Sequence, residues 1–301
     1  MNLMTKGAEH AMKTGIFSLP DAKMTFREAV DYAKKLGLDA IEPFPSREFA
    51  QPDAEAARRL ADYAKEQGIG ICCFSMAADI VTGDRKAAVE NLKRYAEVAA
   101  AMGSPYLHHT LYPALGFAKN GMPFKEALKH AVEGVREVYD YAEQIGVKCL
   151  YEDQGFYFNG VQRFDDFLGE VNREVGVVAD LGNILFVGEE PEAFAARFAP
   201  MVKHVHVKDY LYKDSRWPSP GEGWYISRDG GYLRGTVIGH GTVNFQRVFS
   251  ILQSVGYDGY FSLEYDGMED AFRANELGLA NMKRYYEIAK IDQMKHVDVH
   301  L

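Results

Sequence analysis

One pattern, repeated along the chain, constrains the fold more than any other feature. A charged amphipathic stretch ends in glycine, a short apolar run follows, and polar residues close the unit. YAKKLGLDAIEPFP, YAKEQGIGICCFS, VAAAMGSPYLHH, YAEQIGVKCLYED and ILQSVGYDGYFSLEYD all show it. The stretches before the glycine carry apolar residues at i, i+3, i+4 and i+7, the spacing of a helix with one buried face. Glycine suits the left-handed residue that closes such a helix. The apolar runs are continuous, not alternating, as in strands covered on both faces. Helix and strand alternating at this pace give βα units and a parallel sheet.

Strands are predicted around 14–18, 39–44, 69–75, 105–109, 147–152, 176–180, 203–208 and 259–265. A chain of 301 residues with that set fits an α/β fold, a closed (β/α)8 TIM barrel, with 1–301 as one domain. A doubly wound open sheet is the alternative, but no G-x-G-x-x-G or G-x-x-x-x-G-K-[ST] loop follows any strand. One interval breaks the rhythm. Between His206 and Glu264 the last βα step is long enough to hold an inserted loop at 210–236, between the seventh and eighth strands. It contains Trp217 and Trp224, several tyrosines and arginines, and much glycine and proline. Such punctuation predicts irregular structure, serving as a lid or substrate wall, or as a packed excursion or subunit contact.

Net charge is -9 and the pI is about 5.5, which argues against binding the phosphate backbone of nucleic acid. No apolar run is long enough to span a membrane. The opening MNLMTKGAEHAMKTG has no apolar signal region, so a cytoplasmic location is expected. Cys72, Cys73 and Cys149 fall in predicted strands and form no C-x-x-C pair, as buried reduced thiols would.

The chemistry lies at strand ends. Glu152, Asp180, His206 and Glu264 close the runs CLYEDQG, GVVADLGN, KHVHVKD and YFSLEYDG. In a barrel those ends share one rim, where catalytic residues gather. Three carboxylates and one imidazole suit Mn²⁺ or Mg²⁺ more than a structural zinc. Each residue alone has a plainer reading, as a salt bridge or a helix cap. Two carboxylates, Glu152 and Glu264, can double as acid and base. Glu42, His108, His109, Asn183 and Lys208 sit at the same kind of strand end and are candidate substrate-binding groups. The strand pleat turns only one of His108 and His109 inward. Asp153 reads as a helix-entry group or a support for a ligand residue, His204 as a core imidazole or such a support, and Asp209 as an acceptor for a ligand or a lysine.

Through YEDQG, ADLGN, HVHVKD, GHGTVNF and SLEYDG, the chain resembles the sugar phosphate isomerase/epimerase family of xylose-isomerase-like TIM barrels. The family includes ketose 3-epimerases, hydroxypyruvate isomerase and inosose dehydratase. The resemblance implies that Glu152, Asp180, His206 and Glu264 bind a divalent metal, commonly Mn²⁺, with Mg²⁺ or Co²⁺ as alternatives. It also implies that Glu152 and Glu264 move a proton next to the carbonyl of a keto-sugar or keto-polyol. Isomerisation or epimerisation is the expected outcome. The chain departs from the ketose 3-epimerases at Asn183, Tyr212 and Phe158, where they carry His, Arg and Glu. HVHVKD is closer to the inosose dehydratase branch. With the aromatic loop, it also resembles the metal-binding subunit of C-glycoside deglycosidases, lyases that eliminate the aglycone of 3-oxo-glycosides. The partners implied are a keto-sugar or oxo-glycoside, and either further copies of the chain or a small partner subunit. A sugar-binding barrel without catalysis is the remaining reading.

Overall fold

The computed structural model describes residues 11–298. The opening segment on which the cytoplasmic expectation rests lies mostly outside them. In chain order the elements begin β1 (Lys13–Ile16), α1 (Phe26–Leu36), β2 (Ala40–Ile41), α2 (Ala54–Glu66), β3 (Gly70–Ile71) and β4 (Phe74–Met76). They continue α3 (Arg85–Ala101), β5 (Tyr106–His109), α4 (Phe124–Gln144), β6 (Lys148–Glu152), α5 (Val161–Val171), β7 (Gly176–Asp180) and α6 (Pro191–Phe198). The last are β8 (Val202–Val207), β9 (Asp209–Lys213), β10 (Tyr225–Ile226), β11 (Tyr232–Thr236), α7 (Phe245–Ser254), β12 (Tyr260–Leu263) and α8 (Ala271–Asp298).

Local chemistry sets the helix ends. Thr25 and Glu28 form a capping box at the start of α1, and Asp53 and Asp84 cap α2 and α3. Gly37, Gly68, Gly103, Gly146 and Gly256, which follow five of the helices, all have φ between 70° and 77°. This is the left-handed conformation their sequence position predicts.

β1, β12, β8, β7, β6, β5 and β4 form one parallel sheet in that order, and β2 pairs with β3. Backbone bonds join the two. Asp39 and Glu42 N–H donate to Thr14 and Ile16 carbonyls, and Ser75 N–H donates to the Pro43 carbonyl. The sheet thus curls into the expected barrel. The strand predicted at 69–75 is split into β3 and β4, with Cys72 and Cys73 buried between them as free thiols.

The 210–236 segment differs from the irregular loop expected of it. β9 and β11 pair antiparallel, with Tyr212 opposite Leu233 and Tyr210 opposite Gly235, and β10 adds a third strand. The reason is apolar burial. Tyr210 and Leu233 pack with Phe186 in a small core of their own, and glycine and proline are concentrated in the connecting turns. Trp217 stays 63% exposed. Among the described residues no helix is long and apolar enough to cross a membrane.

Candidate metal centre

β6, β7, β8 and β12 lie side by side, so the residues closing them share one rim. Asp180 pairs in register with His206, His206 with Ser262, and the Glu264 N–H donates to the Val207 carbonyl. His206 Nδ1 stands 3.3 Å from Glu264 Oε2 and 3.5 Å from Glu152 Oε2. Ligand atoms of Glu152, Asp180 and His206 lie within 4.8 Å of one another. Asp180 is aimed by its own turn: Oδ1 accepts the N–H groups of Gly182 and Asn183 at 2.9 and 3.0 Å.

Glu42 corrects an expectation. It is not among the residues lining the cavity at the rim but sits 1% exposed behind the histidines, because the barrel interior offers it three partners. Its Oε2 accepts from His204 Nε2–H at 2.7 Å and its Oε1 from His206 Nε2–H at 2.9 Å, while Ser75 Oγ–H donates to Oε1 as well. Burial favours the neutral acid, yet His204 and His206 hold the carboxyl well below its ordinary range. An ionised carboxylate only accepts, so His206 carries a proton on Nε2 and turns Nδ1 toward Glu152 and Glu264. Phe17 stacks on the same ring, with centroids 5.1 Å apart and planes 4° from parallel.

The Ser75 proton is spent on Glu42, so its oxygen accepts from His108 Nδ1–H at 3.0 Å. His108 Nε2 then carries a lone pair and lies 3.6 Å from Glu152 Oε1. Burial keeps this imidazole below its ordinary pKa despite Glu152 beside it. His109 points the other way. It is fully buried against Tyr151 OH (3.2 Å) and the Thr110 carbonyl (2.9 Å), and burial pushes it down to about 4. Of the pair, His108 faces the site and His109 does not, which corrects the assignment of His109 to substrate binding. Asp209 is likewise committed to its own loop, accepting backbone N–H groups from Tyr210, Gly239, Gly241 and Val243.

Lys208 supplies the cation among the carboxylates. Nζ is 2.6 Å from Glu264 Oε1 and 3.0 Å from Asp180 Oδ2. Burial pushes Glu264 up to about 8 even with that ammonium alongside. Burial also opposes ionisation of Glu152, but the positive charge of His206 and Lys208 holds its carboxyl below the ordinary range. Above these groups opens a cavity of about 450 Å³, lined by Phe17, Phe44, Ser75, His108, Glu152, Asn183, Lys208 and Glu264 among others. Ser75 and Phe17 carry no distinguishing sequence signal beyond following apolar strand runs.

The donor set fits a hard divalent cation: carboxylate oxygens with one imidazole nitrogen. His206 Nδ1 and Glu264 Oε2 are buried and make no hydrogen bond among the described residues, as atoms reserved for a ligand would. Glu42, His108 and His206 also bring ligand atoms together. Glu42 is already saturated by its hydrogen bonds, so the set built on Glu152, Asp180 and His206 is the better cradle.

The chain is similar to several known proteins. Over 240 residues the chain is 27% identical to an inosose dehydratase of Klebsiella pneumoniae, covering 73% of this chain and 77% of that protein. The D-psicose 3-epimerase of Clostridium cellulolyticum H10, solved with D-tagatose, superposes with a TM-score of 0.73 at 17% identity, covering 91% of this chain and 99% of that one. A xylose isomerase-like TIM barrel protein of Mycobacterium smegmatis, solved in complex with magnesium, gives 0.69 at 17% identity, covering 95% and 100%. The model of one family, described as xylose isomerase-like TIM barrel, matches residues 30–285, and the chain belongs to that family.

Proposed function

We propose that this chain is a divalent-metal-dependent enzyme that removes a proton from the carbon next to the carbonyl of a keto-sugar or keto-polyol. The observation that carries the reading is the placement of Glu152 and Glu264 at 3.5 and 3.3 Å from one imidazole nitrogen, at the edge of a sugar-sized cavity. Glu152, Asp180, His206 and Glu264 would hold Mn²⁺, Mg²⁺ or Co²⁺. When bound, such an ion supplies Lewis acidity toward a carbonyl and its neighbouring hydroxyl.

The chain's own groups supply the rest. One of the two carboxylates takes the proton on carbon and the other returns one, each step worth about 10²–10⁴-fold. The lone pair of His108 Nε2 and the carboxylate of Glu152 are two acceptors 3.6 Å apart, a place for a substrate hydroxyl to donate. Phe17 and Phe44 offer flat apolar walls for a sugar ring. Return of the proton to the opposite face is epimerisation, and return to the neighbouring carbon is isomerisation.

The similarity to inosose dehydratases favours a second reading in which the same abstraction expels a β-hydroxyl as water. One experiment separates the two. Keto-sugars and keto-polyols are incubated with the Mn²⁺-loaded enzyme in D₂O and followed by NMR. Isomerase or epimerase action predicts deuterium on the carbon next to the carbonyl in product of unchanged composition. Dehydration predicts an unsaturated or tautomerised product that has lost water. Turnover with no exchange at carbon contradicts both.

A further inference from the structure

We infer that the Lys208 ammonium is a built-in stand-in for the divalent cation and gives up its two carboxylates when the cation arrives. The inference rests on the metal-centre reading above. Lys208 directly follows β8, two residues after His206, and its side chain is only 8% exposed. It bridges Asp180 Oδ2 and Glu264 Oε1, both on residues of the cation's donor set. Without it, Glu152, Asp180 and Glu264 would crowd a buried site with less positive charge to offset them, which burial penalises.

The competition is sharpest at Asp180. Its Oδ1 is committed to the N–H groups of Gly182 and Asn183, so Oδ2 is the oxygen left to ligate, and Lys208 holds it. A doubly charged ion on the same oxygens takes over their neutralisation and repels an ammonium a few ångströms away. Ligation therefore releases Lys208, which already lines the cavity beside Asn183 and there meets a substrate oxygen. The residue thus has two posts: counter-ion before loading, and substrate contact after it.

The test is calorimetric titration of Mn²⁺ into the wild-type chain, K208M and K208Q, with melting curves of the metal-free and loaded forms. Both variants are expected to bind Mn²⁺ tighter by about tenfold or more, to melt below wild type without metal, and to gain more from Mn²⁺. K208Q keeps a polar head and stands in if K208M does not fold metal-free. Mn²⁺ affinity in both variants equal to or weaker than wild type overturns the exchange while leaving the metal centre in place. No Mn²⁺ binding by wild type or variants overturns the metal centre and the exchange together.

Discussion

His206 is held from behind by Glu42: its Nε2–H donates to Oε1 at 2.9 Å, and the opposite ring nitrogen is thereby turned toward Glu152 and Glu264. The carboxylate also steadies His204 and Ser75, so one buried acid sets the orientation of the whole floor. Groups that orient a metal-binding imidazole in this way typically matter by about 10–100-fold in metal affinity. Glu42→Gln is expected to weaken Mn²⁺ binding by about that factor, read by titration calorimetry. Unchanged affinity would show that Glu42 only fills space.

Protons must leave for a cation to enter. The Glu42, Glu152 and Glu264 carboxylates outweigh burial and hold His206 well above its ordinary pKa, and Glu264 is raised to about 8. Raised in this way, both groups hold a proton more firmly than usual in the metal-free protein, and ligation needs them bare. Mn²⁺ affinity should therefore rise as pH increases from 6 toward 8, with proton release detected in buffers of differing ionisation enthalpy. Binding that is indifferent to pH over that range contradicts the assignment of Glu264 and His206 as ligands.

Asp209 organises the turn that carries GHG at 239–241. Four backbone N–H groups converge on it from 2.8 to 3.2 Å. Asp209→Ala leaves those donors bare, and roughly 3 kcal/mol of stability should be lost, measured by chemical denaturation. Gly241 is tied to the same cradle, since a Cβ there would overlap Asp209 Oδ1 and the Tyr210 carbonyl. Gly241→Ala should destabilise as well. A loss below about 1 kcal/mol for Asp209→Ala would contradict this role.

His109 contributes a pH-dependent share of stability. Burial holds it at about 4 against an ordinary value of 6.5, so the folded state disfavours the proton. Above pH 6.5 the imidazole is neutral folded or unfolded and its contribution is full. As pH falls from 6.5 toward 4, the unfolded chain takes the proton first and stability is lost, by about 1.4 kcal/mol per unit. Between pH 6.5 and 5 the stability difference between wild type and His109→Gln should shift by about 2 kcal/mol against wild type. A difference that does not move with pH contradicts the buried neutral state.

Much of this was legible in the residues. The continuous apolar runs and their closing glycines define the strands and helix ends locally, and the residues ending β6, β7, β8 and β12 converge because parallel strands end on one rim. Glu42 reads no differently, as one more acid at a strand end in AIEPFP. What turns it inward is His204 and His206, 162 and 164 positions away, which no local pattern reports. The alternation in DYLYK and YLRGT did carry the period of a strand. The glycines and prolines between hid a pairing that depends on Phe186 elsewhere in the chain. The pleat says that His108 and His109 diverge. The contacts that set which one turns inward, Ser75 beside the first and Tyr151 beside the second, come from neighbouring strands.

The most direct test of the metal centre is a crystal grown with Mn²⁺ and measured for its anomalous signal. One peak per chain is predicted, within bonding distance of Glu152, Asp180, His206 Nδ1 and Glu264. Density lacking any peak among those four groups, or a peak bound by other residues, would contradict it.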